Sequence, residues 1–279
     1  MIHIVIPVLN RWHFTEPCLM ALRRQTRKDF KVVIVDHGST DGTRRNLAAS
    51  FPDVTLLLGE LSMWWTAATN MGVRYALAEG TDAVLTLNND TVPSDTYIDA
   101  LLQAAQAAGG DALIGSTALD QRTGETVSTG ERVNWLLEKA ESPRRPANGK
   151  HATLVSCERY PGRGLLVPAR VFSTIGLYDE DAFPHYLADY DFSQRARAAG
   201  FALYCATAAT LGTYPEETSG NSLLRRKSLR HYLQHLFTRR GGAQLTSFYR
   251  YAFRHCPAYA LPSFLMLGTA RRLAGYWLK

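Results

Sequence analysis

Two periodicities alternate along the first 115 residues. Short apolar, β-branched runs at residues 2–6, 31–35, 54–58 and 83–87 read as strands; longer stretches at 16–25, onward from Ser39 and Thr40 toward Ser50, and at 66–79 read as helices. Continuous apolar strands separated by helical segments predict an α/β fold, a mostly parallel central sheet flanked by crossover helices. Ser39 or Thr40 is placed to cap the second helix.

Beyond Ala112 the pattern changes. Residues 114–119 and 126–129, on either side of Arg122-Thr123-Gly124, read as a hairpin, and 142–150 as a loop rich in proline and charge. The expected division is 1–115, 116–217 and a helical, basic, aromatic C-terminal extension at 218–279.

Composition narrows the class. The chain has 279 residues, 46% hydrophobic and 20% charged, which supplies a sizeable core and argues against disorder. No apolar window reaches the roughly 18 residues of a spanning helix, and the strongest, 257–268, is broken by Pro262. The opening apolar run lacks a basic leader and a cleavage site and meets Pro7, so the expectation is a mature chain that begins at residue 1 and carries no secretory signal. Cys18, Cys157, Cys205 and Cys256 are widely spaced, which fits reduced, cytosolic thiols better than a disulfide framework or a zinc site.

Charge is uneven. Residues 218–279 hold 11 Lys and Arg and no acidic residue, so a +11 tail follows a body of −5. Arg225-Arg226-Lys227 and Arg239-Arg240 are interleaved with Leu, Tyr and Phe. Such a segment, 225–279, suits an anionic membrane face, and equally a helical cap packed on the body with a basic outer side. Nucleic acid is the poorer partner, because it leaves two acidic strand ends unused.

Those strand ends carry the first chemistry. Ligands of open α/β sheets bind beyond the carboxyl ends of the strands, where Asp36 and Asn88-Asn89-Asp90 fall. A carboxylate at Asp36 can accept the imide N–H of uracil or thymine, or it can serve the turn that follows. The oxygen-rich Asn88-Asn89-Asp90 suits a hard divalent cation bound together with a diphosphate, or an ion-free polar turn. Trp64 and Trp65 open the helix at 66–79; one indole can stack on a nucleobase or sugar face, or both can belong to the core.

Taken together, Ile4-Val5-Ile6-Pro7-Val8-Leu9-Asn10, Val33-Ile34-Val35-Asp36-His37-Gly38-Ser39, Asn70-x-Gly72 and Leu87-Asn88-Asn89-Asp90 resemble the inverting family 2 glycosyltransferases of GT-A fold. The resemblance continues through Gly162-Arg163-Gly164 and Ile175-Gly176-Leu177-Tyr178-Asp179 to Asp189-Tyr190-Asp191-Phe192. It implies a donor half at 1–115 and an acceptor half at 116–217. Pro7, Val8, Asn10, Asp36, Gly38, Ser39, Trp64, Asn70, Asn88 and Asn89 would then line the nucleotide. Trp65, Arg163, Gly164, Tyr186 and Asp191 would face donor sugar or acceptor, and Asp189 would be the general base.

A divalent metal, Mg²⁺ or Mn²⁺, would be held by Asp90; where many members carry a His, Glu216 or Glu217, Glu217 above all, would be a further ligand, or both are solvated loop acids. Asn88 and Asn89 stand in place of the first acid of the family's Asp-x-Asp, and Ala188 in place of its Glu before the base. Asp191 would raise the base's pKa by like-charge repulsion unless Arg195 or Arg197 cancels it. The implied partners are a nucleotide-sugar donor and a glycan or lipid-linked acceptor, with the Trp-rich segment resembling rhamnosyltransferases of bacterial surface polysaccharides. The implied location is cytoplasmic, or peripheral at the inner membrane face. A catalytically silent sugar-nucleotide binding module is the alternative.

Overall fold

A computed structural model of the chain describes residues 1–143, 153–217, 228–239 and 241–278. Most of the loop expected at 142–150, and the basic residues Arg225, Arg226, Lys227 and Arg240, lie outside the described residues. The first half follows the expected alternation: β1 (Ile2–Val8), α1 (Trp12–Arg23), β2 (Phe30–Asp36), α2 (Thr43–Ser50), β3 (Thr55–Leu58), α3 (Trp65–Ala78), β4 (Ala83–Thr86), β5 (Thr91–Pro93) and α4 (Tyr97–Ala107). Helix α1 starts four residues before the expected Glu16, launched by left-handed backbone at Asn10 (φ 59°) and Arg11 (φ 64°), and it runs through Pro17.

The second half contributes β6 (Leu113–Asp120), β7 (Thr126–Ser128), β8 (Arg132–Asn134), β9 (Lys139–Glu141), β10 (Leu154–Ser156), β11 (Leu165–Pro168), α5 (Ala169–Ile175), α6 (Ala188–Ala198) and β12 (Leu203–Thr213). Strands β6 and β7 form the expected hairpin. The main sheet runs β10-β12-β6-β11-β4-β1-β2-β3, parallel from β4 through β3 and again between β6 and β12, with β11 inserted antiparallel to both neighbours. A division at 115 therefore falls inside β6, and the two halves share one sheet.

Strand alternation sends side chains to two cores. Ile4, Ile6 and Val8 pack with Cys18, Leu19 and Leu22 of α1 and Leu101 of α4 on one face, while Val5, Val33 and Val35 pack with Ala68, Val73 and Ala76 of α3 on the other. Phe172 of α5 and Phe192 of α6 extend the second core. The extension folds as α7 (Leu229–Phe237), α8 (Leu245–His255) and α9 (Leu261–Leu278). Phe248, Ala252 and Phe264 form its own small core with Val133 and Trp135 from the β8 region, so the extension is packed onto the body.

Candidate active site

The loops at the carboxyl ends of β1 and β2 are sewn together by side chains that the sequence placed at the nucleotide. Asn10 Oδ1 accepts the backbone N–H groups of Thr40 (2.7 Å) and Asp41 (3.2 Å), and the Asn10 N–H donates to Ser39 Oγ at 2.7 Å. Pro7 and Val8 lie buried at the end of β1, where Val8 O accepts the His37 N–H at 3.1 Å. Asp36 is fully buried; its Oδ1 accepts the N–H groups of Gly38 (3.0 Å) and Ser39 (2.7 Å), and its Oδ2 accepts Arg44 Nε at 2.9 Å. Burial alone would raise its pKa, but the Arg44 guanidinium and the two amides outweigh that and hold the carboxyl below its ordinary range. Asp36 has no exposed surface and is paired with the partly exposed Arg44, so in this conformation its remaining acceptor positions are out of reach of the nucleobase that the sequence placed there.

At the end of β4 the three polar residues point three ways. Asn88 Oδ1 accepts Trp65 Nε1 at 3.0 Å, Asn89 Nδ2 donates to Thr15 Oγ1 of α1 at 3.0 Å, and Asp90 Oδ2 accepts Arg11 Nη1 at 3.4 Å. The same guanidinium reaches Glu217 Oε2 at 4.0 Å, from the short helical turn Pro215–Glu217 that follows β12. Asp90 and Glu217 therefore come together through a cation the sequence had not singled out.

Asp189 sits in the first turn of α6, after Leu187 in left-handed backbone (φ 69°). Its Oδ2 accepts the Gly162 N–H at 2.9 Å and its Oδ1 the Tyr190 N–H at 2.9 Å. Burial pushes the Asp189 carboxyl above its ordinary pKa; the two amides oppose this, and the nearby charge of Glu131 adds to it. A Cβ on Gly162 would lie 2.6 Å from the Trp65 ring, so only glycine lets that indole lie against the loop holding Asp189. Gly164 (φ 82°) closes the loop, donating its N–H to Thr86 O of β4 at 2.7 Å. Asn88, Trp65, Gly162 and Asp189 thus form one continuous line of contacts from strand end to candidate base.

A cavity of about 270 Å³ opens beside Asp189, lined by His185, Tyr186 and Tyr190 and, from the extension and the loop before it, by Gln244, Ser247 and Arg272.

The sequence model described as Glycosyl transferase family 2 matches residues 3–159, more than half of the chain. The chain belongs to glycosyl transferase family 2. It is 30% identical over 217 residues to the succinoglycan biosynthesis protein ExoA of Rhizobium meliloti, a match covering 76% of this chain and 62% of that relative. It is 27% identical over 207 residues, 67% of each chain, to the N-acetylglucosaminyl-diphospho-decaprenol L-rhamnosyltransferase of Mycobacterium tuberculosis. Among solved structures, GalNAc-T7 with UDP, GalNAc and Mn²⁺ superposes with TM-score 0.67 at 14% identity, covering 91% of this chain and 50% of that one. The fold is GT-A.

Several residues of this family 2 chain stand elsewhere than the sequence suggested. Asn70 is buried in α3, where Nδ2 donates to Tyr178 O (2.8 Å) and Glu180 Oε2 (2.9 Å), so its amide is engaged in tying α3 to the loop after α5. Asp191, expected at the sugar, is fully buried on the far side of α6, accepting Arg195 Nε (2.8 Å) and Arg254 Nη1 (2.9 Å), with His255 Nε2 at 2.8 Å. With its charge so compensated, Asp191 is not what raises Asp189; burial is. Asn89 is spent on α1. Arg163 has its Nε buried without a hydrogen-bond partner among the described residues.

Two tryptophans lie near the cavity, and a histidine that the motifs did not mark lines it. Trp64 lies 5.6 Å from the ring of the cavity-lining His185, and Trp65 meets Tyr178 edge-on at 5.6 Å and packs against the second core. His185 lines the cavity with Nδ1 unpartnered among the described residues, and burial, assisted by His37, lowers its pKa to about 4, so it is neutral at ordinary pH. No sequence signal marked it, because its neighbours Trp64 and His37 are far away along the chain.

Among the described residues no cluster of three or more His, Cys, Asp or Glu side chains is arranged to hold a metal. Asp90 and Glu217 nevertheless suit the mode in which Mg²⁺ or Mn²⁺ takes one or two carboxylates and completes its shell with substrate phosphates and water.

Proposed function

We propose that the chain is an inverting glycosyltransferase that moves a sugar from a uridine or thymidine diphosphate donor to a hydroxyl of a glycan or lipid-linked acceptor. The observation that carries this reading is the line from Asn88 through Trp65 and Gly162 to Asp189. It sets a carboxylate of raised pKa beside the strand end expected to receive a diphosphate.

Asp189 accepts the proton of the acceptor hydroxyl as that oxygen bonds to the anomeric carbon and the bond from that carbon to the diphosphate oxygen breaks. The amides of Gly162 and Tyr190 hold the carboxylate in place, and the cavity walls limit competing water. Asp36 accepts the base imide once the partly exposed Arg44 side chain moves off it, Asn10 and Ser39 fix the two loops around the nucleoside, and Asp90 with Glu217 would hold a divalent ion. That ion, when bound, stabilises the negative charge gathering on the leaving group.

The similarity to ExoA and to a diphospho-decaprenol rhamnosyltransferase supports a place in surface polysaccharide synthesis, with rhamnose among the candidate sugars. A peripheral membrane location agrees with α7, whose exposed Leu229, Leu233 and Phe237 recur at four-residue spacing among basic residues. No described helix is long and apolar enough to cross a membrane.

The experiment is transfer and nucleotide binding in Asp189→Asn. Loss of transfer with nucleotide affinity kept is expected. Undiminished transfer rejects the base, and a wild type that binds donor without transfer or hydrolysis across a donor panel makes the chain a binding module.

A further inference from the structure

Arg11 occupies the position where positive charge is most needed, and nothing in the motif pattern accounts for it. Its guanidinium stands between Asp90 (3.4 Å) and Glu217 (4.0 Å), and its Nη2 is buried without a hydrogen-bond partner among the described residues. The side chain is aimed there by construction. Asn10 and Arg11 both take left-handed backbone, which costs a non-glycine residue of order 1 kcal/mol each and turns the chain into α1. The guanidinium then lies 4.4 Å over the Phe14 ring, which is itself backed by Tyr214 at 4.8 Å.

Those contacts leave N–H groups to spare. Of five donors in a rigid fork, one makes a long bond to Asp90, so the fork is under-used beside two acids that it neutralises. Asn88 and Asn89 stand where a further carboxylate would add negative charge, so the local balance of Arg11 against Asp90 and Glu217 is only one unit negative. The loop carrying Arg11 is the one that Asn10 binds to the β2–α2 turn on the nucleoside side.

We propose that Arg11 is a diphosphate-binding residue of the donor site. It covers Asp90 and Glu217 when no donor is present and turns its fork onto phosphate oxygens when a nucleoside diphosphate enters. Diphosphate binding in this chain then has two sources of positive charge, a protein-borne guanidinium and any divalent ion, and the first persists when the ion is removed. The inference rests on the nucleotide-sugar reading above.

Calorimetry with UDP and dTDP tests it, each titrated in EDTA and in MnCl₂ into wild type, Arg11→Met and Arg11→Lys, with uridine and thymidine as controls. The wild type should bind one of the diphosphates in EDTA within about tenfold of its affinity in Mn²⁺, because charge-assisted bonds from the guanidinium remain. Arg11→Met should lose about tenfold or more in EDTA with nucleoside affinity unchanged, and Arg11→Lys should recover part of the loss. Arg11→Gln, which keeps polarity without charge, should show the same loss if methionine disturbs the loop. Diphosphate binding by wild type in Mn²⁺ alone, or wild-type affinity of the neutral variants in EDTA, overturns the proposal. Failure of every nucleotide under both conditions instead overturns the nucleotide-sugar reading.

Discussion

Asp189 is held by two amides that favour its anion while burial favours its acid. A base of raised pKa is inactive when protonated. The kcat/KM of transfer should therefore rise with pH along a limb whose midpoint lies above the ordinary carboxylate value, as a pH–rate profile would measure. Gly162→Ala should cost about a hundredfold in kcat, because the new methyl drives either Trp65 or the Asp189 loop from its place. Steady-state kinetics check it, and wild-type kcat would mean that the indole moves freely. Asp36, Asp90 and Asp189 were legible as residues at strand ends or in an acidic motif. Asp191 was misread for a geometric reason: two residues along an α-helix is a turn of about 200°, so it faces away from Asp189. Arg11, His185 and Arg272 were invisible, since each acquires its role from neighbours distant in sequence.

Among the elements, the contact of α8 with α6 decides whether the cavity has a wall. Asp191 is its hub, and Arg254 and His255 of α8 both meet the same carboxylate oxygen. Burial would raise its pKa, but His255, Arg195 and Arg254 outweigh that and depress it. A depressed carboxyl contributes stability that is present above the unfolded pKa and lost as pH falls through the folded value. The extension should therefore loosen only in acid below the ordinary aspartate range. Hydrogen exchange across 245–278 at descending pH would register it. Asp191→Ala removes the carboxylate shared by α6 and α8 while Arg195 keeps the Ile175 and Leu177 carbonyls and Arg254 keeps Asp179, so unfolding free energy should fall by about 2 kcal/mol, the scale of a lost charge-assisted hydrogen bond. Denaturant titration measures the loss. The alternation of β1 to β4 with their helices was legible from apolar runs. The early start of α1 was not, because left-handed backbone at an arginine has no sequence signature.

For the molecule as a whole, the extension has two faces. Inward, it supplies Gln244, Ser247 and Arg272 to the cavity beside Asp189; outward, it exposes Leu233 and Phe237 of α7 and Trp277 of α9. The basic tail was legible as a surface or a cap; among its described residues, α8 and α9 pack on the body while Leu233, Phe237 and Trp277 stay exposed. Leu233→Glu with Phe237→Glu should reduce co-sedimentation with anionic vesicles, and wild-type binding should weaken as salt screens the arginines. Equal sedimentation of the two proteins removes the membrane surface. The account as a whole depends on one direct displacement, with the hydroxyl activated by Asp189 on the side of the sugar opposite the departing diphosphate. The anomeric configuration of the first-formed product, followed by proton NMR with a donor of known configuration, tests that most directly. Inversion is the expected result, and a product that retains the donor's configuration contradicts it.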